Sequence, residues 1–194
     1  MNYQILPLFF SHLSTLLFFL SAIGLTFFGL SAPVAYFILP GLALPVGIAM
    51  HVHRLNEMGS ALTLTENAWW MTYVYGLPAP EQRAALRNLC FYSTDRIQQF
   101  FIRGFAGKLS LQLACVAIHI YDCSALEKEP LSVALALLVL LFLLCALGKS
   151  ARTASLIAAG KWQSETLTTN SGSVWYHGVI TKGTRRETLF SRLM

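Results

Sequence analysis

Residues 131–147 read LSVALALLVLLFLLCAL, a run with no charge, glycine or proline, and Lys149 and Arg152 follow at once. A helix needs ~20 predominantly apolar residues to cross the ~30 Å hydrocarbon layer of a bilayer. A soluble helix of that length would show a polar stripe at every third or fourth position, and this run shows none. The chain is therefore read as a membrane protein. Its composition agrees, because only 12% of the 194 residues are charged, about half the ~25% of soluble domains.

A second uncharged stretch, Ile5 to Met50, covers 46 residues. As one helix, at about 1.5 Å per residue, it would be roughly twice the bilayer's apolar thickness. It must fold back, and Gly29-Leu30-Ser31-Ala32-Pro33 supplies the turn. Spans 1 and 2 are thus expected at about 6–29 and 33–52. Span 3, about 100–121, is apolar apart from Arg103, Lys108, Gln112 and His119. Its two cations lie near one end, where long stems can snorkel to the interface. The acidic loop Asp122 to Glu129 leads into span 4 at about 130–148.

The expected fold is an all-α membrane protein, a four-transmembrane-helix bundle with cytoplasmic interfacial helices and a small C-terminal hairpin and tail. Residues 1–162 form its membrane domain, with a cytoplasmic loop at 53–99, and residues 163–194 form a basic cytoplasmic tail. The N-terminal stretch does not read as a secretory signal. The first basic residue is Arg54, and the apolar run exceeds a signal core of about 7–15 residues. No lipidation motif is present.

Charge sets the orientation. Alternating spans place 53–99 and 149–194 on one side, which, with Arg103 and Lys108 assigned to it, holds 13 of the 14 Lys and Arg residues. Lys128 stands alone on the other side, beside Asp122, Glu127 and Glu129. The positive-inside rule then predicts a multi-pass cell (inner) membrane protein with both termini cytoplasmic.

Within the middle loop, Thr65-Glu66-Asn67 reads as the cap of a short helix carrying Trp69, Trp70, Tyr73 and Tyr75. These are candidate interface anchors, since aromatic rings with one polar edge favour the headgroup level. The same aromatics packing on other helices is an equal alternative. Pro80 suits the first turn of another helix, with Glu81 near the positive end of its dipole. Leu86, Leu89, Cys90, Ile97, Phe100 and Phe101 then recur at helical spacing, so that a helix over 80–101 is expected to run into span 3.

Helical patterning continues past span 4 and ends at Gly160-Lys161-Trp162. Leu167-Thr168-Thr169 and Val174 to Ile180 flank Asn170-Ser171-Gly172 as a hairpin. A lone hairpin is marginal in water, so this one is expected to dock through Trp175, Tyr176, Arg185, Arg186 and Phe190. The basic end segment is accounted for by anionic lipid, at ~1 kcal/mol per cation near the surface, and no nucleic acid is required.

Candidate chemistry is sparse. Cys90, Cys115, Cys123 and Cys145 form no C-x-x-C pair. His12 and His51 are the one histidine pair at matched depth, a weak candidate for metal or haem. Gly104, Lys108, Gln112, Cys115, His119 and Asp122 fall on one stripe of span 3. Such a stripe faces either a partner helix through hydrogen bonds or a water-filled path. No Asp or Glu lies inside a span, which favours packing. Pro40-Gly41 and Pro45-x-Gly47 mark span 2 as kinked or broken.

The sequence accordingly predicts a non-catalytic polytopic subunit or scaffold of a larger membrane-embedded complex, such as a secretion, conjugation or envelope machine. Its expected contacts are membrane lipids and protein partners or further copies of itself, with no cofactor. Two alternatives stay open: a small transporter or channel-like protein using the span 3 stripe, and a haem- or quinone-linked redox subunit using His12 and His51.

Overall fold

The computed structural model describes residues 7–74, 77–126, 129–168, 172–182 and 185–194, and leaves the side chains of 7–14, 65–87, 182 and 185 undescribed. The chain is mostly helical. Its long helices are α1 (Pro7–Thr26), α2 (Ala32–Ile38) continuing through a π-helical turn (Leu39–Ala43) into α3 (Leu44–Glu57), α4 (Thr94–Ala125) and α5 (Pro130–Ala158). Three of these bodies, Ala32–Glu57, Thr94–Ala125 and Pro130–Ala158, are long and apolar enough to cross a membrane. At 1.5 Å per residue their lengths are roughly 39, 48 and 44 Å, against ~30 Å of hydrocarbon. Large apolar side chains point outward along them, among them Leu113, Ile120, Leu137, Leu138 and Leu141. Lipid suits that surface and water does not.

The predicted fold-back lies where Gly, Ser and Pro coincide. Gly29 takes φ +79° and closes α1, with Leu30 N–H donating to Leu25 O at 3.2 Å. Asp122, at the far end of α4, then holds the start of α2. Its carboxylate accepts from the backbone N–H groups of Ser31 and Ala32 at 2.6 and 3.1 Å, and from the Ser31 hydroxyl at 3.0 Å. An anion at a helix N-terminus meets both free N–H groups and the positive end of the dipole. Span 2 is continuous rather than broken. Pro40 removes a helical donor, and the chain widens by one residue per turn over Leu39–Ala43 before α3 resumes.

The middle segment differs from the sequence expectation. Instead of a capped helix at 65–75 and a helix over 80–101, the chain forms β1 (Ala61–Val74) antiparallel to β2 (Leu77–Phe91), and helix α4 starts only at Thr94. Trp69, Trp70 and Tyr73 lie on β1, opposite Gln82, Glu81 and Pro78; Tyr75 lies outside the described residues. Two causes favour strands. Thr, Trp, Tyr and Val crowd β1, and these types suit a pleated surface. Pro78 and Pro80 are also placed without loss. Pro78 and Pro80 face Tyr73 and Met71, two positions apart and so on the same set of ladder positions, and proline fits a strand where that set needs no N–H donor.

The C-terminal hairpin forms as predicted, with β3 (Gln163–Thr168) paired to β4 (Val174–Lys182). Beyond it lie β5 (Arg185–Thr188) and a short α6 (Leu189–Leu193). The five strands make one sheet, ordered β1-β2-β4-β3, with β5 also on β4. Tyr176 pairs with both Thr166 and Phe91, and Val179 with both Gln163 and Thr188, so β2 and β5 share the edge of β4 opposite β3. Since β1 leaves the end of α3, β2 enters the start of α4 and β3 leaves the end of α5, the whole sheet sits at one end of the bundle.

Two cores result. At the sheet end, Val52, Leu89, Phe91, Ile97, Phe101, Phe105 and Ile157 pack with Ile180, Leu189, Phe190 and Leu193. At the other end, Leu30, Ala32, Cys115, Ala136, Val139 and Leu143 pack together. Segment 163–194 therefore docks on its own chain, through Phe190 and Tyr176 among others.

Candidate functional site

The polar stripe of span 3 turns inward, and its members touch other elements. Gly104 lets α6 approach: a Cβ there would lie 2.8 Å from Leu193 Cδ2. One turn on, Lys108 Nζ donates to the carbonyls of Arg192 and Leu193 at 3.1 and 2.9 Å. A cation thus meets the carbonyl end of α6, as helix electrostatics favours. Gln112, 2% exposed, donates to the Tyr36 hydroxyl at a long 3.5 Å. Cys115 is fully buried against α5. His119 Nε2 lies 3.1 Å from Ala136 O, which makes it the protonated nitrogen, and Cys123 Sγ approaches the same atom at 3.6 Å. Gln112 Oε1 and His119 Nδ1 are buried with no partner among the described residues.

A second feature lies on the neighbouring face of α4. The end of α3 and the start of α4 diverge around a cleft of about 610 Å³, within the ~300–1,000 Å³ range of ligand pockets. From α3 it is lined by Leu44, Gly47, Ile48 and His51, and from α4 by Arg96, Gln99, Arg103, Gly107 and Leu111. The glycines make the space, since a Cβ on Gly47 would meet nothing within 4 Å and one on Gly107 only Leu44 Cδ1 at 3.9 Å. His51 stacks on Phe100, ring centroids 5.9 Å apart and planes within 5°, and so flanks the mouth. Arg96, Gln99 and Arg103 line the sheet end of the cleft beside Leu55, Phe91 and Phe100, and its deeper half, around Leu44, Ile48, Gly107 and Leu111, is wholly apolar.

The remaining predicted residues are dispersed. Trp175 is half-buried and its ring N–H lies 3.4 Å from Ser173 Oγ. Arg186 stays exposed and pairs with Glu165 at 3.5 Å, beside the His177–Glu165 contact at 3.3 Å. The side chains of His12, Trp69, Trp70, Tyr73 and Arg185 lie outside the described residues, so no His12–His51 geometry is described. His53 pairs with Glu57 at 3.3 Å on an exposed face. Among the described residues no group of three or more His, Cys, Asp and Glu is placed to hold a metal.

Sequence reasoning passed over Arg96, Gln99 and Arg103 as a set. Their spacing of three and four, continuing into Gly107 and Leu111 on one face, was the available signal. Outside the membrane spans, burial pushes the Cys90 thiol up to about 11, which keeps it protonated and inert. Compared with known protein families, curated proteins and solved structures, the chain matches none.

Proposed function

We propose that this protein is a non-catalytic, multi-pass subunit or scaffold of a larger membrane complex. In this reading α1 is a fourth span, the membrane is the inner (cell) membrane, and both termini and the sheet face the cytoplasm. The observation that carries it is the β1–β2 ribbon. Beyond the bulge at Leu64/Thr65 the two strands, among the described residues, pair only with each other over Thr65–Val74, roughly 30 Å at ~3.4 Å per residue. The link to the rest of the sheet is the pair Phe91↔Tyr176. A two-stranded ribbon is marginal in water, and the outer edge of β1 offers unpaired backbone groups that a partner strand can take up. Trp69, Trp70 and Tyr73 sit within this ribbon, and aromatics are enriched where interfaces form. The contacts made by Lys108, Gln112 and His119 support a packing role for the stripe over a transport path.

The test is a mild-detergent pull-down read by mass spectrometry, with the full chain and a shortened ribbon. Removing 67–84 and joining Glu66 to Ala85 through Asn-Gly keeps a hydrogen-bonded closing pair, because Glu66 and Ala85 are opposite in the native register. The full chain should recover a stable partner set that the shortened one loses, with the same thermal transition. Identical partners for both, or no stable partner for the full chain, would overturn the reading.

A further inference from the structure

We propose that the cleft between α3 and α4 binds an anionic glycerophospholipid from the leaflet on the sheet side. The phosphate sits at Arg96 and Arg103, and an acyl chain runs along Gly47, Gly107 and Leu111.

Three observations select this occupant. First, the lining changes character with depth. Arg96, Gln99 and Arg103 follow each other on one face of α4, and Gly107 and Leu111 continue that face into the span. From Arg103 to Leu111 is roughly 12 Å of helix at 1.5 Å per residue, close to the ~15 Å depth of one hydrocarbon leaflet. A free anion would have no use for the apolar half, and a zwitterionic lipid, whose own cation offsets its phosphate, would leave one of the two guanidinium charges unbalanced. Second, the cations are available. Arg96 lies over the Tyr92 ring, 5.5 Å from its centroid, and among the described residues no carboxylate pairs with Arg96 or Arg103. A guanidinium without a carboxylate is suited to a phosphate oxygen pair. Third, the cleft opens toward lipid. Its flanks carry exposed Val46 and Met50 on α3 and Ile102 on α4, so a chain can slide in from the bilayer without crossing water.

The test uses the full chain in mild detergent, with native mass spectrometry of phosphatidylglycerol and phosphatidylcholine carrying the same acyl chains, and glycerol phosphate as a headgroup without chains. Phosphatidylglycerol should bind in preference to phosphatidylcholine, and glycerol phosphate should not displace it. The double variant Arg96→Gln, Arg103→Gln should weaken phosphatidylglycerol about 30-fold, from roughly fivefold per surface cation. Gly47→Leu, which fills the floor, should weaken both lipids at least tenfold. Lys149→Gln with Arg152→Gln, cations on another helix at the same end, should change affinity less than twofold. A photoactivatable phosphatidylglycerol should crosslink to the 96–111 segment, a readout that holds if a variant folds poorly. Equal binding of the two lipids, displacement by glycerol phosphate, equal losses in the control variant, or crosslinks elsewhere would each overturn the proposal. So would recovery of a protein segment in the cleft.

Discussion

Replacing Lys108 with Met should release the C-terminal segment from the bundle. Lys108 Nζ donates to two carbonyls at the end of α6, at 3.1 and 2.9 Å, and Met keeps the length of the stem while removing the charge. Hydrogen bonds from charged donors contribute about 1.5–3 kcal/mol. Local opening of α6 should therefore become roughly 12- to 140-fold more frequent, taking 1.4 kcal/mol as tenfold. Limited proteolysis in mild detergent reads this directly, because cleavage rate tracks the open population when reclosing is fast. Cleavage within 185–194 should accelerate by that factor, while cleavage within α1 to α5 stays unchanged. Lys149→Met, which removes an exposed cation from α5, should leave the rate within about twofold, as for surface substitutions worth under ~0.5 kcal/mol. An unchanged rate for Lys108→Met, or an equal rise for Lys149→Met, would refute the reasoning that this lysine holds α6.

Leu193→Ala should cost about 2–5 kcal/mol, because Leu193 is fully buried against Gly104; thermal unfolding in detergent would show it. Asp122→Asn should cost about 1 kcal/mol by removing the anion from the start of α2, read as a lower midpoint in the same assay. Cys90, with its pKa raised to about 11 by burial, should resist maleimide at neutral pH until the chain unfolds. The folded chain keeps a thiol proton that the unfolded chain releases near the ordinary thiol value of 9.0, so this group's contribution to stability is intact below pH 9 and falls as pH rises from 9 toward 11. Denaturant melts at pH 8 and 10, with Cys90→Ala as reference, would measure that loss, and equal losses in both proteins would remove Cys90 as its cause.

The helices were legible because hydrocarbon imposes a simple rule: ~20 residues without charge. Gly29, Ser31 and Pro33 punctuated the longest such stretch, and the structure turns there. The ribbon was not legible in the same way. Leu86, Leu89, Cys90, Ile97, Phe100 and Phe101 fit a helical period, yet the set straddles Ser93, which takes extended backbone at φ −139° and ψ 141°. Leu89 and Cys90 are buried on β2, and Ile97 and Phe101 on α4, so one core draws residues from two elements and mimics one period. Ser93 followed by Asp95 in the first turn was the helix-start signal. For the tail, the hairpin followed from Asn-Ser-Gly between β-rich runs, but its seat on Ile97, Gly104 and Lys108 depends on contacts about 85 residues away in sequence, which no local pattern encodes.

In the arrangement proposed above, the sheet and the basic segments face the cytoplasm and the α4–α5 turn faces the other side of the membrane. Cys123 lies exposed at that turn, and Thr166 lies exposed on β3. A membrane-impermeant maleimide applied to intact cells should label Cys123, and in a Cys123→Ser background Thr166→Cys should be labelled only in inverted vesicles. Labelling of Thr166→Cys in intact cells, or of Cys123 only in inverted vesicles, would contradict the account.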